Sequence, residues 1–181
     1  TQSFLDFEPN RSSMSFFVDF AARKLGGGWR TSGWVQEEIM FSEIPQLGNY
    51  ELGGLFTRTR LGSSRPQKGY PQPIVFKNAK RMINFNSKLH GIYGGRNLVK
   101  ATHQEIKNSI ETLNSPQNVN ILAIAAPRLT TQNPKSLGVL KDLFRTSYSG
   151  FQLVKEVSKG KSVFVGTGKF GAGAFKNDPI V

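Results

Sequence analysis

Met14-Ser15-Phe16-Phe17-Val18-Asp19-Phe20-Ala21 is followed by Gly26-Gly27-Gly28 and, seven residues later, by Gln36-Glu37-Glu38-Ile39. The first run is short, apolar and rich in aromatics, which predicts a buried strand. The triple glycine ends it, because glycine favours neither regular element and tolerates backbone angles other residues avoid. Thr31 or Ser32 is placed to cap a helix over about 33–41. Strand, glycine turn and helix in that order open an α/β unit.

The pattern continues along the chain. Leu55-Phe56-Thr57 and Ile74-Val75-Phe76 predict short strands. Leu98 to Leu113 predicts a polar-faced helix carrying Val99, Ile106, Ile110 and Leu113, stopped by Asn114-Ser115-Pro116. Val119 to Ala125 predicts a buried strand, and 127–134 a polar connector. Leu137 to Phe151 has helical spacing through Leu140, Leu143, Phe144 and Tyr148, with Gly150 near its end. Ser162 to Val165 predicts a last strand, running into Gly166-Thr167-Gly168 and Gly171-Ala172-Gly173. Alternating strands and helices predict an α/β sandwich around a mixed sheet. With no internal repeat and no second domain in evidence, residues 1–181 are expected to form one domain.

Composition narrows the chemistry. Hydrophobic residues make up 38% and charged residues 20%, as in a globular protein with a sizeable core. There is no cysteine, which excludes disulfides, thiolate metal sites and a Cys nucleophile. His90 and His103 are the only histidines, too few for a zinc site of the usual ligand count, and neither sits in a nucleophile motif. Zinc chemistry is therefore discounted. No apolar run reaches the span of a membrane and no signal peptide is visible, so the expectation is a soluble cytoplasmic or nuclear protein.

The formal net charge is +12, a balance that attracts polyanions. The excess is concentrated: no acid occurs between Glu51 and Glu105, while Arg58, Arg60, Arg65, Lys68, Lys77, Lys80, Arg81, Lys88, Arg96 and Lys100 do. Tyr70, Phe76, Phe85 and Tyr93 are interleaved with them. Such a stretch, an insertion-like region over about 56–100, either tracks a nucleic-acid backbone while stacking bases or is simply a solvated surface.

Two features carry chemistry. The glycine turns at Gly26–Gly28 and 166–173 follow buried strands, where open α/β sheets bind ligands and glycine lets backbone N–H groups approach a pyrophosphate. Neither is a Walker loop. Glu37 and Glu38, being adjacent, diverge on a helix and would not share one role. They are either acids stabilised by a helix N-terminus or carboxyls aimed at a substrate, for example at a glycosidic bond whose leaving oxygen needs a proton.

The ordered set Val18-Asp19-Phe20-Ala21, Gly26-Gly27-Gly28 and Gln36-Glu37-Glu38 resembles the signature of the poly(ADP-ribose) glycohydrolase family. Thr167-Gly168-Lys169-Phe170-Gly171-Ala172-Gly173-Ala174-Phe175 resembles that family's second glycine loop, and Leu140–Phe144 through Tyr148–Phe151 the helix before it. The chain departs from the family's residues at Ala22, at Lys169-Phe170 and at Lys176-Asn177. The resemblance implies a three-layer α/β/α macrodomain-like sandwich around a central mixed sheet. It implies a hydrolase that cleaves the ribose–ribose O-glycosidic bond of poly(ADP-ribose) and releases ADP-ribose. Glu38 would be the acid and base, and Glu37 would bind the hydroxyls of the scissile ribose. Gln36 would join the substrate site. Gly26, Gly27 and Gly28 would line the diphosphate and distal ribose on one side, and Gly171, Ala172 and Gly173 the diphosphate on the other. Phe175 would pack on the distal ribose, Glu8 would contact adenine, and an adenine-stacking aromatic such as Phe56 or Tyr70 would come from the middle region.

The same pocket would serve a mono-ADP-ribosyl hydrolase acting on modified protein or nucleic acid, or a reader that holds ADP-ribose without cleaving it. A basic nucleic-acid-binding domain using Arg58 to Lys100 is the remaining class.

Overall fold

The computed structural model describes residues 12–22, 24–52, 70–86, 90–129 and 136–171. Four strands form one sheet in the order β2-β3-β1-β4, with β1 Met14–Phe20, β2 Ile74–Phe85, β3 Ile110–Ile124 and β4 Val163–Gly166. β1 runs parallel to β3 and to β4, whereas β2 runs antiparallel to β3. The sheet is therefore mixed, as the sequence predicts. The predicted strand at Leu55–Thr57 lies outside the described residues.

Alternation along the strands sorts the core into two faces. Phe17 and Ala21 of the β1 segment, with Ile121 and Ala123 of β3, pack against Met40, Phe41, Ile44 and Leu47. These last come from α1 Gln36–Glu43, α2 Pro45–Leu52 and the residue between them. Phe16, Val18, Leu122 and Ile124 face the other way and bury Val154 of α5 Leu137–Val157. Helices thus cover both faces, giving the α/β/α layering. Gly150 lies mid-helix rather than at its end. A Cβ there would sit 3.0 Å from Ile124 Cγ2, so the glycine brings α5 close to β3.

Two expectations are corrected between β2 and β3. The polar-faced helix over Leu98–Leu113 is instead two short helices, α3 Gly95–Lys100 and α4 His103–Asn108, followed directly by β3. Thr102 breaks the run: its side chain accepts from the Glu105 N–H while Glu105 returns a bond to the Thr102 N–H, a reciprocal cap that starts a new helix. Ile110–Thr112 then pair with Ile83–Phe85. Asn114-Ser115-Pro116 therefore ends no helix. These residues form a large bulge in β3, where the register passes from Ile83↔Thr112 to Arg81↔Gln117. Proline, lacking an N–H, is tolerated in a sheet at such a bulge.

A buried ion pair ties the first helix to the sheet. Glu43, at the end of α1, accepts from Arg81 Nε at 3.0 Å and from the Phe85 N–H at 2.7 Å. Arg81 also donates through Nη2 to Asn84 Oδ1 at 2.7 Å. Edge-to-face contact between Trp34 and Phe85, with ring centroids 4.9 Å apart, fixes the segment that leads into α1. No helix among the described residues is long and apolar enough to cross a membrane.

Candidate active site

The loops that leave β1 and β4 emerge at the same end of the sheet, because the two strands are parallel. β4 pairs with β1 only as far as Phe17↔Gly166. Beyond that point the backbone groups of Val18 and Phe20 that face β4 have no strand partner, and Gln36 supplies one. Its Oε1 accepts from the Phe20 N–H at 3.0 Å and its Nε2 donates to the Val18 carbonyl at 2.7 Å. One amide side chain so extends the sheet past the end of β4 and locks the first turn of α1 to the tip of β1. Substituting it would orphan two backbone groups, each costing about 1–3 kcal/mol when buried.

α1 begins at Gln36, later than the expected start near Gly33, and Thr31 and Ser32 do not cap it. Thr31 Oγ1 instead donates to the Gly28 carbonyl across the turn. The helix is capped from inside: Glu38 Oε2 accepts from the Val35 N–H at 3.0 Å. Its other oxygen, Oε1, accepts from the Gly28 N–H at 2.9 Å. Glu37 reaches the opposite end of the same turn, with Oε1 taking the Gly26 N–H at 2.7 Å and Oε2 the Ala22 N–H at 2.8 Å. Adjacent helix positions diverge, and here the divergence lets two carboxyls grip the two ends of the triple glycine.

The glycines make that grip possible. Gly27 has φ +52, and a Cβ on it would meet Glu38 Oε1 at 2.5 Å and Glu37 Oε2 at 2.7 Å. The Gly27 N–H donates to the Lys24 carbonyl. All three glycine N–H groups are thereby engaged within the protein: those of Gly26 and Gly28 hold the acids, and the Gly27 amide closes the turn. The resemblance had assigned Gly26–Gly28 to a diphosphate. Of the three, Gly27 is exposed and Gly26 is buried, and the donors of Gly26 and Gly28 serve Glu37 and Glu38.

Sequence reasoning gave no role to Asp19, which joins the same cluster. It shares the sheet face of Phe17 and Ala21, the face α1 covers. Its side chain is fully buried, and neither oxygen has a hydrogen-bond partner among the described residues. Burial, and then the charge of Glu38, pushes its carboxyl up to about 8. Glu37 is pushed up to about 9 by burial and by the Asp19 charge, against the two N–H bonds from Ala22 and Gly26 that favour its anion. The signal in the sequence was an acid inside an otherwise apolar strand, which must be neutral or paired when buried.

These raised values make a pH prediction with a definite sign. The folded protein binds the two protons more tightly than the unfolded chain, whose carboxyls titrate near ~4. Their contribution to stability is therefore complete below about pH 4 and is lost progressively as pH rises toward 8–9. Reduced self-repulsion of the +12 chain at higher pH acts in the opposite direction, so the comparison is with Asp19→Asn. Between pH 5 and pH 9 the wild-type Tm is expected to fall relative to that of Asp19→Asn by about 5 °C or more. Parallel melting curves would contradict the assignment.

The second glycine loop approaches from the β4 side. Gly168 lies against the Phe20 ring, and the Phe170 and Phe20 centroids are 6.2 Å apart. Gly171, the last described residue of this loop, has φ +78. Ala172, Gly173, Phe175 and Glu8 lie outside the described residues, as does Phe56. Tyr70 is well exposed, at 76%. Among the described residues no group of three or more acidic, histidine or cysteine side chains is arranged to hold a metal ion.

No protein-family model matches the chain, and no curated protein sequence matches it. Solved structures do. Poly(ADP-ribose) glycohydrolase from Thermomonospora curvata superposes with a TM-score of 0.50 at 15% identity, covering 92% of this chain and 52% of that one. The enzyme from Deinococcus radiodurans, in complex with ADP-ribose, gives a TM-score of 0.46 at 19% identity over 93% of this chain and 58% of that one. The chain spans a little over half the length of these structures. At such identity the likeness is one of fold: the chain carries the mixed α/β, macrodomain-like architecture of the Thermomonospora curvata poly(ADP-ribose) glycohydrolase.

Proposed function

We propose that this protein is a glycohydrolase that cleaves the ribose–ribose O-glycosidic bond of poly(ADP-ribose) and releases ADP-ribose. The observation that carries the reading is the union of three carboxyls, Asp19, Glu37 and Glu38, around one glycine turn at the strand ends. A structural role asks for no such cluster, since burying acids together costs stability. Hydrolysis of a glycoside does need a positioned acid, because the leaving oxygen must take a proton as an oxocarbenium-like transition state forms.

Glu38 is the acid and base in this reading. Its carboxyl gives a proton to the departing ribose oxygen as the anomeric C–O bond breaks. It then takes a proton from the water that attacks the anomeric carbon. Two backbone N–H bonds hold its oxygens and fix the carboxyl in place. Glu37, kept protonated by burial and by Asp19, offers a carboxylic O–H to a ribose hydroxyl. The Gly26–Gly28 Cα edge and the loop through Gly171, Ala172 and Gly173 flank the diphosphate. Phe175 packs on the distal ribose and Glu8 contacts adenine. No cofactor takes part.

The test is incubation with labelled poly(ADP-ribose), followed by separation of polymer from ADP-ribose. Release of ADP-ribose supports the reading. Intact polymer that co-migrates with the protein would replace it with a reader, and release from mono-modified protein alone would replace it with a mono-ADP-ribosyl hydrolase.

A further inference from the structure

α5 is apolar on two sides. Val139, Thr146, Gly150 and Val154 are buried and mark the side that rests on the sheet. At 3.6 residues per turn, Leu137, Phe144, Tyr148 and Phe151 fall on the opposite side. There they are exposed at 68%, 69%, 66% and 43%. Phe144 and Tyr148 belong to the helical spacing that predicts α5, yet they do not enter the core. Phe144, Tyr148 and Phe151 follow one another along the helix, rising about 6 Å and then about 4.5 Å. They present ring surface to solvent that packing within the domain does not use.

Charge on this side has one sign. Lys141 and Lys155 project with the aromatic line, about 21 Å apart along the helix, and both are exposed. The acids of α5 are Asp142 and Glu156. Helical periodicity turns Asp142 toward the sheet and Glu156 to the flank, so neither faces the aromatics. The whole chain carries +12. A second copy of the chain is a poor occupant. Antiparallel pairing of α5 about Tyr148 sets Lys141 against Lys155, and parallel pairing sets each lysine against its own copy. An anionic occupant that carries flat rings satisfies both the charge and the aromatics.

Resting on the proposed function, which supplies a substrate of that chemistry, we infer that the outward face of α5 is a second binding surface for poly(ADP-ribose): adenines stack on Phe144, Tyr148 and Phe151 while Lys141 and Lys155 hold diphosphates. Each repeat of the polymer offers one adenine and one diphosphate. Stacking of bases on exposed aromatics adds to the salt-dependent attraction of cations for phosphate. The sheet separates this face from Glu38, because α5 and α1 cover opposite sides. Units bound there are therefore not the unit being cleaved. They tether a long chain while another part of it is cleaved, so the face favours long polymer over short fragments.

The test uses Phe144→Ala/Tyr148→Ala. Affinity for long polymer is measured in the Glu38→Gln background. In the active protein, kcat/KM is measured on the two-unit fragment, which is too short to occupy both surfaces. The double variant is expected to lower long-polymer affinity by about tenfold or more, with kcat/KM on the fragment within about twofold and Tm within about 3 °C of the parent. Unchanged long-polymer affinity overturns the inference and leaves the proposed function standing. A comparable fall on the two-unit fragment also overturns it, because the residues would then serve the acid pocket. Oligo(dA) or polyglutamate of matched charge that binds as tightly as polymer overturns it by assigning the face to nucleic acid or to an acidic protein. Should the aromatic variant melt well below the parent, Lys141→Gln/Lys155→Gln carries the test: a length-dependent loss of affinity supports the inference, and no loss overturns it. Wild type that cleaves neither substrate removes the proposed function, while polymer binding lost in the double variant still supports the face.

Discussion

Glu38→Gln is expected to lower release of ADP-ribose from polymer by at least about 10²-fold, the usual scale for a positioned acid and base. The substitution changes little else. Glutamine keeps one acceptor oxygen for either the Gly28 or the Val35 N–H, now bonded at 2.9 and 3.0 Å, and loses the other. Against that loss it removes the charge that raises Asp19 and contributes to raising Glu37. The two effects oppose each other, so the melting temperature is expected to stay near that of wild type while turnover collapses. Measuring Tm beside initial rates separates chemistry from folding. A Glu38→Gln protein that folds and retains wild-type turnover would remove Glu38 from the reaction.

Gly27→Ala is expected to damage both stability and activity. A non-glycine residue at φ +52 costs about 1–2 kcal/mol on backbone grounds alone. The added Cβ would also press on Glu38 Oε1 and Glu37 Oε2, and the acids that would have to yield are those held by Ala22, Gly26, Gly28 and Val35. Overpacking of this kind adds about 1–3 kcal/mol. The expected destabilisation is about 2–5 kcal/mol in denaturant titration, with turnover lowered further because both carboxyls are displaced. Gly160→Ala provides the control, since Gly160 has φ +82 and nothing within 4 Å of its would-be Cβ. It should show the backbone cost without the loss of turnover. Equal effects at the two positions would mean that the carboxyls do not depend on the bare Gly27.

The parts of the fold that the sequence made legible are those decided locally. β1 is a dense apolar run, the triple glycine breaks it, and α1 follows within a few residues. The helix start was misplaced because Thr31 and Ser32 look like caps, whereas the cap comes from Glu38, inside the helix. The stretch 98–113 was misread for a different reason. Its apolar spacing suits a helix, but Ile110–Thr112 are taken by pairing with Ile83–Phe85, a contact that no local pattern announces. Gln36 was legible as part of a signature, while its bonds to Val18 and Phe20, which extend the sheet, depend on where β4 stops. Asp19 was in view within the same signature, but its role needs the strand parity that turns it toward α1.

The basic middle region also resolves in part. β2 carries Lys77, Lys80 and Arg81, and the last of these is buried against Glu43 rather than presented to a polyanion. The charge of the interval is thus not one continuous surface.

The most direct measurement is a structure of Glu38→Gln bound to ADP-ribose. The account predicts the anomeric carbon of the terminal ribose within about 3–4 Å of the residue-38 side chain, with the diphosphate held between the two glycine loops. An ADP-ribose bound elsewhere on the sheet, or one whose terminal ribose points away from residue 38, would contradict it.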